Sequence, residues 1–173
     1  LGGGLELMKE CYPRDAQKDV FARQLRMADA RDVPIIIHSR EAFDDVRALL
    51  LEHGRKDRRV VFHCFTGTDQ EAAAIAECGW RLSFTGIVTF KNSTALQHIA
   101  RAYPADRLMV ETDSPYLAPV PVRSQKTNEP AHVAHTARFL AALRGVEFER
   151  LAAETSRNAE AFFGLRENPN TFR

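Results

Sequence analysis

Short apolar runs alternate along this chain with longer stretches in which apolar side chains recur every three or four residues. The runs are VPIII (33–37), RVVF (59–62), WRLSF (80–84) and RLMV (107–110), each followed by a polar patch and then a helical period. That alternation predicts βα units arranged around a parallel sheet. Residues 15–31 place Phe21, Leu25 and Ala28 on one face, and residues 41–53 do the same with Phe43, Val46 and Leu50 before Gly54. Thr68 and Glu71 have the spacing of a capping box for a helix that runs through Cys78 and stops at Gly79. Residues 93–103 carry Leu96, Ile99 and Tyr103 and meet Pro104, which has no N–H with which to continue a helix. After RLMV comes a proline-spaced loop, APVPVRSQKTNEP, and then two helices at about 131–143 and 148–163. Pro130 stands at the entrance of the first, and Gly145 and Gly164 follow the two ends. No linker or low-complexity segment interrupts the pattern, so residues 1–173 read as a single domain.

Composition narrows the class. With 45% hydrophobic and 27% charged residues the chain has material for a packed core. Its 24 basic and 23 acidic residues nearly cancel, which argues against a broad electropositive nucleic-acid-binding surface but leaves room for a nucleic acid as a transient substrate. Cys11, Cys64 and Cys78 are odd in number and irregularly spaced, so a reducing, cytoplasmic setting is expected. The longest uncharged apolar stretches are too short to span a bilayer, and no membrane partner is expected.

Chemistry collects at the carboxyl ends of strands in parallel α/β folds, where the following loops converge. Here VPIIIHSR ends in His38, RVVFHCFTG in His63, WRLSFTG in Ser83, Thr85 and Gly86, and RLMVETD in Glu111 and Asp113. Two carboxylates at the mouth of an apolar strand call for a cation or a proton. A lone strand-end histidine is more often a packing or capping residue. Two histidines and an aspartate at equivalent places in successive units point instead to a divalent metal, with imidazole and carboxylate suited to Zn, Mn or Mg.

The strings PIIIHSREA (34–42), HCFTG (63–67), SFTGIVTFK (83–91), ETDSPYLAP (111–119) and NEP (128–130), in this order and spacing, resemble the TatD family of metal-dependent deoxyribonucleases from about residue 16 to residue 163. The resemblance implies a TIM barrel and hydrolysis of DNA phosphodiester bonds with one or two divalent ions. It makes His38, His63 and Asp113 metal ligands, with Asp113 also the catalytic residue. A complete barrel of this kind needs about 250 residues, so the chain is expected to form an incomplete one, the last four parallel strands with their helices. The family's first-strand His-x-His has no counterpart. LGGGLEL resembles the tail of the fourth strand, with Gly4, Leu5 and Glu6 on its Gly-Leu-Asp and Gly2 where a ligand Glu would stand. A truncated gene or a truncated sequence is the reading that follows.

Three function readings stay open at this point: an active nuclease, an inactive half barrel, and a related hydrolase with another substrate. A half barrel would leave its first strand and RLMV as edges, available for self-association, and the inner strand faces open to water. Glu111 shares the Asp113 face and is expected to act behind it or through a hydrogen bond. Arg40 and Arg123 could contact substrate phosphate, Arg40 because guanidinium matches phosphate geometry, although a solvated charge is an equal reading for each; the same holds for Lys126. His53 and His98 lie on helices and suggest no role, and His132 and His135 read as surface histidines. Cys64 reads as packing, and Phe65, Phe84 and Phe90 as core filling before base stacking.

Overall fold

The computed structural model describes residues 5–6, 13–55, 57–125 and 127–165. Their elements are β1 (Leu5–Glu6), α1 (Arg14–Arg31), β2 (Ile35–Ile37), β3 (Ser39–Arg40), α2 (Phe43–His53), β4 (Val60–Phe62), α3 (Asp69–Glu77), β5 (Arg81–Phe84), α4 (Thr94–Ala102), β6 (Leu108–Val110), α5 (Val133–Arg144) and α6 (Phe148–Phe163). Strands β2, β4, β5 and β6 form one parallel sheet in that order. Ser39 and Arg40 pair in parallel with Leu5 and Glu6, which sets part of LGGGLEL beside the HSR strand. Gly2 and Gly4 lie outside the described residues.

Several boundaries move for local reasons. Pro34 has no N–H to offer a ladder, and β2 begins at Ile35. Glu41 takes φ +53°, outside the helical region, and α2 starts only at Phe43. The last loop enters α5 through a 3₁₀ turn at Pro130–His132. The capping box forms as its spacing predicts: Glu71 N–H donates to Thr68 Oγ1 and Thr68 N–H to the Glu71 carboxylate.

A strand turns successive side chains to opposite faces. Ile35, Ile37, Val60, Phe62, Leu82, Phe84, Leu108 and Val110 join the helices in the main core, among them Leu25, Val46, Ile75, Ile99 and Leu140. Buried Arg58 pairs with Asp29 of α1 and donates to His53 O at 3.0 Å, fastening α1 to the end of α2.

The alternate residues Ile36, Val61 and Met109 belong to a second, smaller core with Phe162 and Ala159 of α6. Val61 is 3%, Met109 7% and Phe162 0% exposed. The expectation of a water-exposed inner face is therefore corrected at its lower end: α6 folds back and seals it. Asn158 holds α6 there by donating to Ala105 O at 2.7 Å and Leu108 O at 2.8 Å. Arg59 donates to Phe162 O at 3.0 Å, and the Arg81 guanidinium lies 5.6 Å from the Phe162 ring.

Phe162→Ala should lower stability by about 3–5 kcal/mol, read as a fall in the urea midpoint. Phe163, the neighbouring ring at 43% exposure, should cost no more than about 1 kcal/mol when replaced by Ala. Equal shifts in the two variants would show that Phe162 does not seal the inner face.

Candidate active site

The alternation that places Ile36, Val61 and Met109 inside carries His38, His63, Glu111 and Asp113 to the same side one or two steps further along. Backbone bonds continue the sheet to that level: His63 N–H donates to Ile37 O at 2.8 Å, Phe65 N–H to Ser83 O at 3.1 Å, and Glu111 N–H to Phe84 O at 3.1 Å. Below them the inner side is apolar; above, it is chemically equipped.

Glu111 is the centre of the cluster. Its carboxylate accepts from Cys64 N–H at 2.7 Å and from the Ser83 hydroxyl, and both of its oxygens lie 3.0 Å from His63 Nδ1. Burial alone would push its pKa up, but the bonds from His63, Ser83 and the Cys64 amide outweigh that and hold it below the ordinary carboxylate value. The same contact with Glu111 raises His63, against the opposing effect of burial and with a smaller contribution from Asp113. With Nδ1 committed to Glu111, His63 Nε2 faces Asp113 Oδ1 at 3.9 Å. The ring of His38 lies 5.6 Å from that of His63. The adjacent acids of RLMVETD thus divide: Glu111 is satisfied by donors, while Asp113 faces the open side.

The remaining candidates fall in different places. Arg40 is exposed and lines a cleft of about 210 Å³ with Ser39, Phe43, His63, Phe65 and Gly67. Arg123 does not point freely into solvent, because its guanidinium stacks 3.9 Å above the Phe90 ring. Phe65 and Phe84 are core residues. Burial pushes the Cys64 thiol up to about 11, and its sulfur lies 3.4 Å from Thr85 Oγ1, in keeping with a packing role. His132, half-buried, places Nδ1 3.1 Å from Asn128 Oδ1.

Two contributors were not assigned partners by sequence reasoning. Ser83 was noted at a strand end, and its signal was a hydroxyl within a buried strand, which must find a partner. Asn128 is buried, donates to Tyr116 O at 2.7 Å and accepts from Glu129 N–H at 3.0 Å, while its own N–H donates to Pro115 O at 3.0 Å. It pins the loop that follows Asp113. Gly86 serves that loop too, since a Cβ there would stand 2.2 Å from Leu117 O.

An imidazole whose Nδ1 is held by a carboxylate is prepared to ligate through Nε2, so the donor chemistry of His63, His38 and Asp113 suits a divalent ion. Among the described residues, however, no three His, Cys, Asp or Glu side chains are grouped so as to hold one. The donor set that the described residues bring together is partial.

Residues 3–164 match the family model described as TatD related DNase. The chain belongs to that family. A TatD-family relative from Bacillus subtilis (strain 168), named uncharacterized metal-dependent hydrolase YabD, is 40% identical over 162 residues, which cover 94% of this chain and 63% of that protein. A Citrobacter rodentium (strain ICC168) protein named 3'-5' ssDNA/RNA exonuclease TatD is 36% identical over 166 residues, 94% of this chain and 63% of that protein. The crystal structure of YjjV, a TatD homolog from Escherichia coli K12, superposes with a TM-score of 0.82 at 25% identity, covering 94% of this chain and 62% of that one. The TIM-barrel reading holds, with the four-stranded sheet as a sector of the TatD barrel. The chain spans under two thirds of the length of these relatives.

In metal-free protein the His63 pKa, followed by NMR, should lie above its ordinary 6.5 and drop in Glu111→Gln. Because His63 is raised and Glu111 lowered in the folded protein, the stability contributed by this pair is complete between about pH 4.5 and 6.5, the ordinary values of the two groups; it disappears as pH rises through the folded His63 pKa and as pH falls through the folded Glu111 pKa. An unchanged His63 titration in Glu111→Gln would remove Glu111 as its orienting partner.

Proposed function

We propose that His38, His63 and Asp113 form part of a divalent-metal site that hydrolyses phosphodiester bonds in DNA. The observation that carries this reading is the Glu111–His63–Asp113 alignment, in which a half-buried carboxylate fixes one ring nitrogen and leaves the other facing a second carboxylate. Relatives named metal-dependent hydrolase and ssDNA/RNA exonuclease support it. Magnesium, manganese or zinc, one ion or two, would when bound polarise the scissile phosphate and ease deprotonation of water.

The protein's own residues then have distinct tasks. Glu111 keeps His63 in a single tautomer and orientation. His63 and His38 present nitrogen donors from adjacent strands. Asp113 orients the attacking water and takes its proton, and Arg40, exposed beside His63, meets non-bridging phosphate oxygens. Free Cys64 and Cys78 fit a reducing compartment, and among the described residues no helix is long and apolar enough to cross a membrane.

One observation favours a second reading, a chain that binds an ion weakly and hydrolyses nothing: the incomplete ligand grouping among the described residues. Self-association through the β2 and β6 edges is the route by which a second copy would supply more ligands.

End-labelled single-stranded DNA incubated with the chain and Mg²⁺ or Mn²⁺ should be cut, with cleavage abolished by EDTA and reduced at least about 100-fold in Asp113→Ala. Equal cleavage by both proteins, or none, would favour the inactive reading.

A further inference from the structure

Immediately beyond Asp113 the loop forms a second cleft of about 300 Å³, lined by Phe90, Tyr116, Leu117, Arg123, Gln125 and Asn128 among others. Three features distinguish it from an incidental surface fold. Tyr116 is 70% exposed, a large ring left in water although its backbone is held from both sides. Its N–H donates to Asp113 O at 2.8 Å and its carbonyl accepts from Asn128. The second feature is the Arg123 guanidinium, whose central carbon lies 3.9 Å from the centre of the Phe90 ring, so a cation is held at a fixed place beside the cleft. The third is charge: among the described residues lining the cleft Arg123 is the only charged one, so those residues bring a cation and no acid to a phosphate.

We propose that this cleft is a base-stacking subsite for single-stranded nucleic acid, in which Tyr116 stacks on the base of a nucleotide next to the scissile phosphate and Arg123 on Phe90 faces the following base or its phosphate. The proposal rests on the phosphodiesterase reading and deepens it. Aromatic and guanidinium faces accept any base, because every base has a π-face, and they need that base to be unpaired. A duplex keeps its bases stacked on one another and offers Tyr116 nothing. The backbone bond from Tyr116 to Asp113 fixes the spacing between the stacked base and the cutting site, so the ring acts on substrate position and not on the chemical step.

Fluorescence anisotropy with a labelled oligothymidylate, in Mg²⁺ and in the Asp113→Ala background so that the strand stays intact, tests this. Tyr116→Ala should weaken binding by about 5- to 100-fold, and Tyr116→Phe should bind like the parent. A strand of abasic residues should bind the parent as weakly as the thymidylate binds Tyr116→Ala, with no further loss in that variant. Thymidylate binding that Tyr116→Ala leaves unchanged, or that falls equally for the abasic strand, overturns the subsite while leaving the phosphodiesterase reading in place. Failure of the parent to bind either strand, together with no metal-dependent cleavage, overturns both.

Discussion

The two-residue period of a parallel strand governs this molecule. Strands of three or four residues leave no margin for a slip, because moving one residue would turn His38, His63 and Asp113 into the helix layer and bring Ile37, Phe62 and Val110 to the open side. Packing against the helices is what prevents that. The large apolar residues on the outer parity are buried at nearly every position, so the hydrophobic effect acting on one face sets the aim of the polar groups on the other. Placement of the chemistry costs no separate interaction; it follows from where Phe62, Leu82 and Phe84 must go.

At the strand ends electrostatics takes over from packing. Glu111 is in a position where desolvation disfavours its charge, and three donors from two chain segments reverse that balance. Since those donors belong to β4, β5 and the residues after them, the carboxylate also ties neighbouring strand ends together. A half-buried, fully bonded charge of this sort contributes order more than net stability. Its output is a single orientation of the His63 ring.

Much of this was legible in the residues and some was not, for identifiable reasons. Helices with strong faces, such as the one bearing Leu96 and Ile99, and the Thr68–Glu71 cap are local, and local periods reveal them. That His38, His63 and Asp113 stand at neighbouring strand ends could be anticipated because strand ends in a parallel sheet are equivalent places. The sealing of the inner face by Phe162 could not, since it depends on the path of α6 across elements about a hundred residues away in sequence. Nor could the stack of Arg123 on Phe90, which joins two loops with no shared period. The break at His38, between β2 and β3, reflects a residue with different neighbours on either side, and nothing in a run of isoleucines signals it.

The clamp at Asn128 has a wider implication. By binding Tyr116 and Pro115 it brings the two ends of the excursion together, so the described residues between them form a loop closed at its base and seated on the barrel wall through Leu117 against Gly86, Val120 N–H on Thr89 Oγ1 and Arg123 on Phe90. Changes at its exposed positions, such as Gln125, alter what passes over the site while those contacts keep the loop in place. This is the part of the molecule where new substrate preferences can arise at least structural risk, a replaceable visor on a fixed face.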